Sequence, residues 1–300
     1  MNNEKKMTIK RLAIFLCISF PPFMILIPIL WAVNGEPIYS AGDGKYAVII
    51  YIVSVFGMMI PSIAALITRL VTKEGFSDSY LGVHIKGKTG YWAASVIVPL
   101  IENLAGLFLM WAVFMKDIPF GDAFPAVDLQ KTGGFLLAVS YSVIIFFPAF
   151  GEEWGWRGYM MPKLLKLMPK PLAIVSGGVI WGLWHAPLTI AGHNFGTAHP
   201  GYPFTGIGAM CCFCVLMNCL LTLVTEKTGS IYPAAFIHMI HNNLYAGTLL
   251  SIFGSKTAIL RLADLDLFKA NLLLMSITTI TAIISFILFV KKDKVRNSPA

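Results

Sequence analysis

Charge is what this sequence has least of. Charged residues make up 13% of its 300 positions and hydrophobic residues 57%. A soluble domain carries about 25% charged residues, so this chain cannot clothe a water-facing surface of its size. That excludes an ordinary soluble enzyme, a disordered chain and a nucleic-acid-binding domain. The net charge of +8 is no basic patch, because the 23 Lys and Arg lie between long apolar runs rather than among them. A disulfide or zinc framework is lacking too. Cys17, Cys211, Cys212, Cys214 and Cys219 all fall inside apolar runs and read as small membrane-buried residues. Also missing are HExxH, GxSxG, a P-loop, GxGxxG, any internal repeat and any low-complexity linker.

What is present is a series of apolar runs, each near the ~20 residues that a helix needs to cross a bilayer. They lie at about 12–32, 46–68, 91–115, 134–156, 171–190, 206–225, 231–253 and 271–290. The first run is too long for the core of a signal peptide and reads as an uncleaved span. The expectation is an all-α, polytopic transmembrane bundle of about eight spans, forming a single integral membrane domain over 1–300. With the N-terminus inside, the inner segments hold 17 Lys and Arg and the outer loops 6. This asymmetry places both termini in the cytoplasm, which means a multi-pass protein of the cytoplasmic membrane in a bacterium. The lipid bilayer is the expected partner, and nucleic acid is not.

Ionisable groups inside apolar spans are costly and mark function. Here they are Glu102, Glu152, Glu153, His185, His238 and His241, with Glu226 at a span edge. Glu152 and Glu153 are about 100° apart on a helix and so face different neighbours. Glu153 and Arg157, four apart, can pair on one face, which leaves Glu152 to point into the bundle. Gly151 and Gly155 offer a small-residue face for another backbone, as Gly178 and Gly182 do in the next run. Pro148 is expected to bend the helix before them. Trp181 stands one turn from His185, so an indole can wall the imidazole. His238 and Asn242 share a face further on, with His241 slightly off it.

Together, Glu-Glu-x-x-x-Arg at Glu152, Glu153 and Arg157, aromatic-x-x-x-His at Trp181 and His185, and His-x-x-x-Asn at His238 and Asn242 resemble the CAAX-protease and bacteriocin-processing (Abi) family of intramembrane endopeptidases. The resemblance runs from about Phe135 to Tyr245, the expected catalytic core, and Trp181 stands where the family usually has Phe. It implies hydrolysis of a membrane-associated peptide, either a prenylated C-terminal tail or a bacterial leader or signalling peptide. It implies Glu152, Glu153, His185, His238 and Asn242 as the catalytic set, supported by Arg157 and Trp181.

A desolvated carboxylate can act as general base near neutral pH. Glu152 fits that role with His185 sharing the water, and His238 and the Asn242 amide fit as oxyanion donors. No cofactor is favoured. The alternative is zinc on Glu152, His185 and His238, the family being commonly labelled metalloprotease. Rival classes are a proton-coupled transporter, disfavoured because the polar residues crowd into one half of the chain, and a non-catalytic immunity or scaffold protein.

On straight spans Glu152 and His185 cannot meet. The helix containing Pro148 is therefore expected to continue past Arg157 towards Met168, with the next span starting nearer Val175. Among lesser signals, Glu102 and Asn103 read as bundle packing rather than as cavity lining, and Asn218 as interhelical glue. His193 and His199 read as a solvated outer loop, and the basic stretch 161–170 as an interfacial segment against anionic lipid.

Overall fold

Helix ends follow the local chemistry of the chain. The computed structural model describes residues 3–34 and 55–291, and among these every regular element is helical. The helices are α1 (Asn3–Ser19), α2 (Pro21–Asn34), α3 (Ile60–Val71), α4 (Thr89–Phe114) and α5 (Leu129–Gly155). A π-helical turn, Trp156–Met160, follows. Then come α6 (Met161–Leu167), α7 (Lys170–Trp184), α8 (Phe204–Thr228), α9 (Tyr232–Asn243), α10 (Ala246–Phe253), α11 (Lys256–Ala263) and α12 (Leu267–Val290). Asp128, Ser255 and Asp266 cap α5, α11 and α12 by accepting from the backbone N–H of Lys131, Ala258 and Lys269. Such caps contribute about 1 kcal/mol each. Pro171 and Pro233 sit in the first turns of α7 and α9, where a missing N–H costs nothing. Gly229, at φ +67°, ends α8 in the left-handed conformation.

Five described segments are long and apolar enough to cross a membrane: Asn3–Val33, Thr89–Phe114, Leu129–Leu167, Phe204–Thr228 and Leu267–Val290, with Val55–Val71 a shorter apolar helix. The chain is an integral, multi-pass membrane protein. The remainder of the second apolar run, 46–54, lies outside the described residues, as does most of the basic C-terminal tail. Besides the first run, which bends at Phe20 between α1 and α2, two described runs do not form continuous helices. The run at 171–190 breaks at His185, before a short helix Ala186–Ile190, and the run at 231–253 breaks between Asn243 and Ala246. Pro187 has no N–H to offer the Leu183 carbonyl, so the ladder of α7 cannot continue through it. Hydropathy alone does not register such interruptions. Helix ends inside a membrane are tolerated where protein rather than lipid surrounds them, and both of these ends carry residues of the candidate site.

The central element is α8. Of its most apolar stretch 61% is buried in the protein, against 22–33% for the other four segments. It packs along α7, α12 and α9. Gly178 and Gly182 of α7 allow that approach, since a Cβ on either would lie 2.4–2.5 Å from the Cα of Val215 or Cys211. Asn218 crosses the same seam, donating to the Ile174 carbonyl at 2.8 Å and accepting from Thr222, as expected of interhelical glue. On the other side α3 lies against α5, and added Cβ atoms at Gly151 and Gly155 would strike Met59 and Pro61. Phe15 and Phe23, from α1 and α2, close the core on Trp156 and Trp184, with successive ring centroids 5.5, 5.5 and 4.5 Å apart. All five cysteines are free.

Helix does continue from α5 through the π turn and α6 to Leu167, as expected. The next helix begins at Lys170, not near Val175. No later start is needed. The two arms meet at Met168 and Pro169, with Glu152 16 residues before Met168 and His185 17 after it. At 1.5 Å per residue both stand about 25 Å from the bend.

Two other expectations are corrected. Lys163, within the stretch read as interfacial, is buried, 3.0 Å from Glu74 and over the Tyr159 ring. Helix α6 therefore turns a charged face inward against the loop after α3, and leaves Lys166 exposed. His193 and His199 are packed rather than solvated. His193 stacks on His185 with rings 6° from parallel, and His199 lies on Phe268 at 4.5 Å.

Candidate active site

Less than two turns of helix, at the end of α5 and the start of the π turn, supply one wall. Glu152, Glu153, Trp156 and Arg157 are each at most 1% exposed. The adjacent carboxylates do face different partners. Glu152 Oε2 accepts from the indole N–H of Trp156 at 3.3 Å and of Trp181 at 2.8 Å. It is therefore held by two neutral donors rather than left free. Glu153 Oε1 accepts from Arg157 Nη1 at 2.9 Å and from His238 Nδ1 at 2.7 Å. The i,i+4 ion pair is as expected; that its carboxylate also holds the histidine of α9 could not be read from spacing. A π turn widens the helix by one residue per turn and recurs at functional sites. Here it begins three residues after Glu153.

Trp181 is the hub. Besides binding Glu152, its ring lies 3.9 Å beneath the Arg157 guanidinium and contacts both His185 and His238, with centroids 5.7 Å away in each case. It walls His185 as its spacing suggested. Trp184 adds a second wall, perpendicular to the imidazole at 4.9 Å, and His193 a third. Trp156 and His193 are the site neighbours that sequence reasoning missed. Trp156 had a readable signal, standing four residues from Glu152. His193 had none, since only folding of the loop after α7 brings it to His185.

The tautomers follow from the partners. His185 Nδ1 is 2.9 Å from the Trp181 carbonyl, which can only accept. His185 Nδ1 therefore carries the proton, and a neutral ring presents its lone pair at Nε2. His238 Nδ1 likewise donates to Glu153, which turns its Nε2 to the opposite side. Asn242, one turn beyond, is exposed at the end of α9. Glu102 and His241 lie apart from this cluster and pair with each other at 2.7 Å.

Among the described residues, Glu153 Oε2 and Arg157 Nε and Nη2 are buried without a hydrogen-bond partner. Buried polar atoms in that state are satisfied by water or a bound polar molecule. The donor set also allows a test of zinc. Among the described residues no three His, Cys, Asp or Glu side chains are grouped to hold a metal ion, and Oε2 of Glu152 is engaged by two indoles. Glu152, His185 and His238 as arranged do not fit a three-ligand site, and no step below passes through a metal.

Residues 134–244 match the model of the family described as Type II CAAX prenyl endopeptidase Rce1-like. Every group described around Trp181 falls within that Rce1-like segment. A curated relative, CAAX prenyl protease 2 of Methanococcus maripaludis, is 28% identical over 101 residues, which is 33% of this chain. The chain thus aligns with 36%, about a third, of that relative's own length.

Proposed function

We propose that this chain is an intramembrane endopeptidase that hydrolyses a peptide bond near a prenylated, CAAX-type C-terminal tail. The observation that carries this reading is the convergence of α5 and α9 on Trp181 and its own helix end: Glu152 at its N–H, and His185 and His238 at its ring. The Rce1-like match and the name of the archaeal relative support the substrate class. A bacterial leader or signalling peptide is the second substrate to test.

In the proposed reaction a water donates one hydrogen bond to Glu152 and one to His185 Nε2, and a lone pair faces the scissile carbonyl. Attack passes the water's proton to Glu152 and forms a tetrahedral oxyanion. His238, protonated and balanced by Glu153, donates from Nε2, and the Asn242 amide adds a second donor. Removing one such donor typically costs about 3–4 kcal/mol of barrier. Collapse breaks the C–N bond, and Glu152 returns its proton to the leaving amine. A charge count supports a cationic His238: two carboxylates then face Arg157 and one imidazolium, a neutral set within an apolar bundle.

The test is cleavage of farnesylated and unmodified peptides by the full chain in proteoliposomes. Glu152→Gln keeps the volume and loses the base. It should abolish cleavage while insertion and melting stay normal. Near-wild-type turnover by this variant would overturn the assignment of the base. Metal content is measured on the same active sample. One zinc per chain, whose removal and return switch activity off and on, would reassign Glu152, His185 and His238 as its ligands.

A further inference from the structure

Helix α9 carries three buried or half-buried polar side chains in its last two turns, each bonded to a different place. His238 holds Glu153 of α5. His241 Nε2 lies 2.7 Å from Oε2 of Glu102, on α4. Asn243 Nδ2 donates to the Ala138 carbonyl at 2.6 Å and to Ser142 Oγ, further back on α5. Glu102 is itself fixed, since its second oxygen accepts from Thr281 Oγ1 on α12. Glu102 is 5% exposed and His241 half-buried.

At 100° per residue, taking His238 as zero, His241 projects at about −60°, Asn242 at about +40° and Asn243 at about +140°. The proposed oxyanion donors, His238 and Asn242, thus lie between two anchors pulling on either side. A helix this short, 12 residues interrupted at Leu244 and Tyr245, has no long continuation to set its rotation. Turning it by about 20° would move a side-chain tip some 2 Å, enough to break a bond of this length. A 1 Å misplacement of a reacting group can cost about 100-fold in rate.

We propose that Glu102 and His241, seconded by Thr281, are positioning residues that fix the rotation of α9 and so aim His238 and Asn242. This rests on the function proposed above for those two groups. The competing role is bundle glue, in which the pair satisfies two buried polar groups and nothing more. Glue and clamp both predict lost thermal stability when the pair is broken. Only the clamp predicts that His238 changes its setting, and that kcat falls while KM holds.

The experiment uses the full chain in lipid nanodiscs with isotope-labelled histidine. In Glu102→Leu, the NMR signal of the His238 Nδ1–H should shift or broaden, and kcat should fall about 10-fold or more at little-changed KM. Glu102→Gln, whose Oε1 can accept from His241 while its Nε2 donates to Thr281 Oγ1, should restore both. Thr281→Val removes one bond at constant volume, and should move both readouts the same way by a smaller amount. It serves if the leucine variant does not fold. A variant with wild-type His238 signal and wild-type kcat, despite the lost bond, reduces the pair to glue. The NMR readout needs no substrate. A wild-type chain without peptidase activity would sink the proposed function and still decide whether the clamp exists.

Discussion

Glu152 and Glu153 show how neighbours in sequence come to hold different roles. One is bound by two indole N–H groups, which are neutral. The other is bound by a guanidinium and an imidazole. The same chemistry orders the consequences of losing each. Arg157→Gln leaves Glu153 buried with only His238 as a cationic partner, and breaking a buried pair from one side typically costs about 3–5 kcal/mol. The expected outcome is a lower melting temperature and yield of detergent-purified protein. Glu152→Gln should leave both unchanged. Equal losses from the two substitutions would remove the distinction between a reacting and a supporting carboxylate.

Packing at the level of elements depends on which glycines have neighbours. A Cβ on Gly155 would stand 2.2 Å from the Pro61 Cβ and 2.5 Å from its carbonyl carbon, whereas one on Gly133, in the same helix, meets nothing within 4 Å. Gly155→Ala should therefore force α3 off α5 and destabilise by about 1–3 kcal/mol or more. Gly133→Ala should be neutral or stabilising by up to about 1 kcal/mol, through helix propensity. Melting of the two purified variants checks this, and a silent Gly155→Ala would contradict the close approach. The Gly151/Gly155 face was legible from its spacing. The partner that fills it was not, because nothing in a run of apolar residues says which other run will lie against it.

For the whole molecule, burial revises the charge count without changing its sign. Arg69, Arg157 and Lys163 are buried beside Asp78, Glu153 and Glu74. They belong to the bundle rather than to cytoplasmic loops. Removing them from the inner 17 leaves 14 Lys and Arg against the outer 6, still a clear positive-inside bias. Reporters fused after Ala300 and before Met1 are expected to report the cytoplasm. A C-terminal reporter active only outside the cell would refute that orientation.

Several features followed from the sequence by itself, because each depends on composition or on spacing within one helix. Low charge with long apolar runs dictates a membrane bundle, since buried apolar surface and lipid are its only favourable surroundings. Spacing of four residues dictates Glu153 beside Arg157 and Trp181 beside His185. Motif chemistry pointed to the residues that now surround Trp181. Only the tertiary structure decided that Glu153 also holds His238, that His193 stacks on His185, that Lys163 turns inward, and that Glu102 meets His241. Each joins residues from separate elements, in one case 139 positions apart. A hydrogen bond reaches about 3 Å, so such pairs are set by where helices bend, break and pack, and those outcomes belong to the assembled bundle rather than to any one stretch of chain.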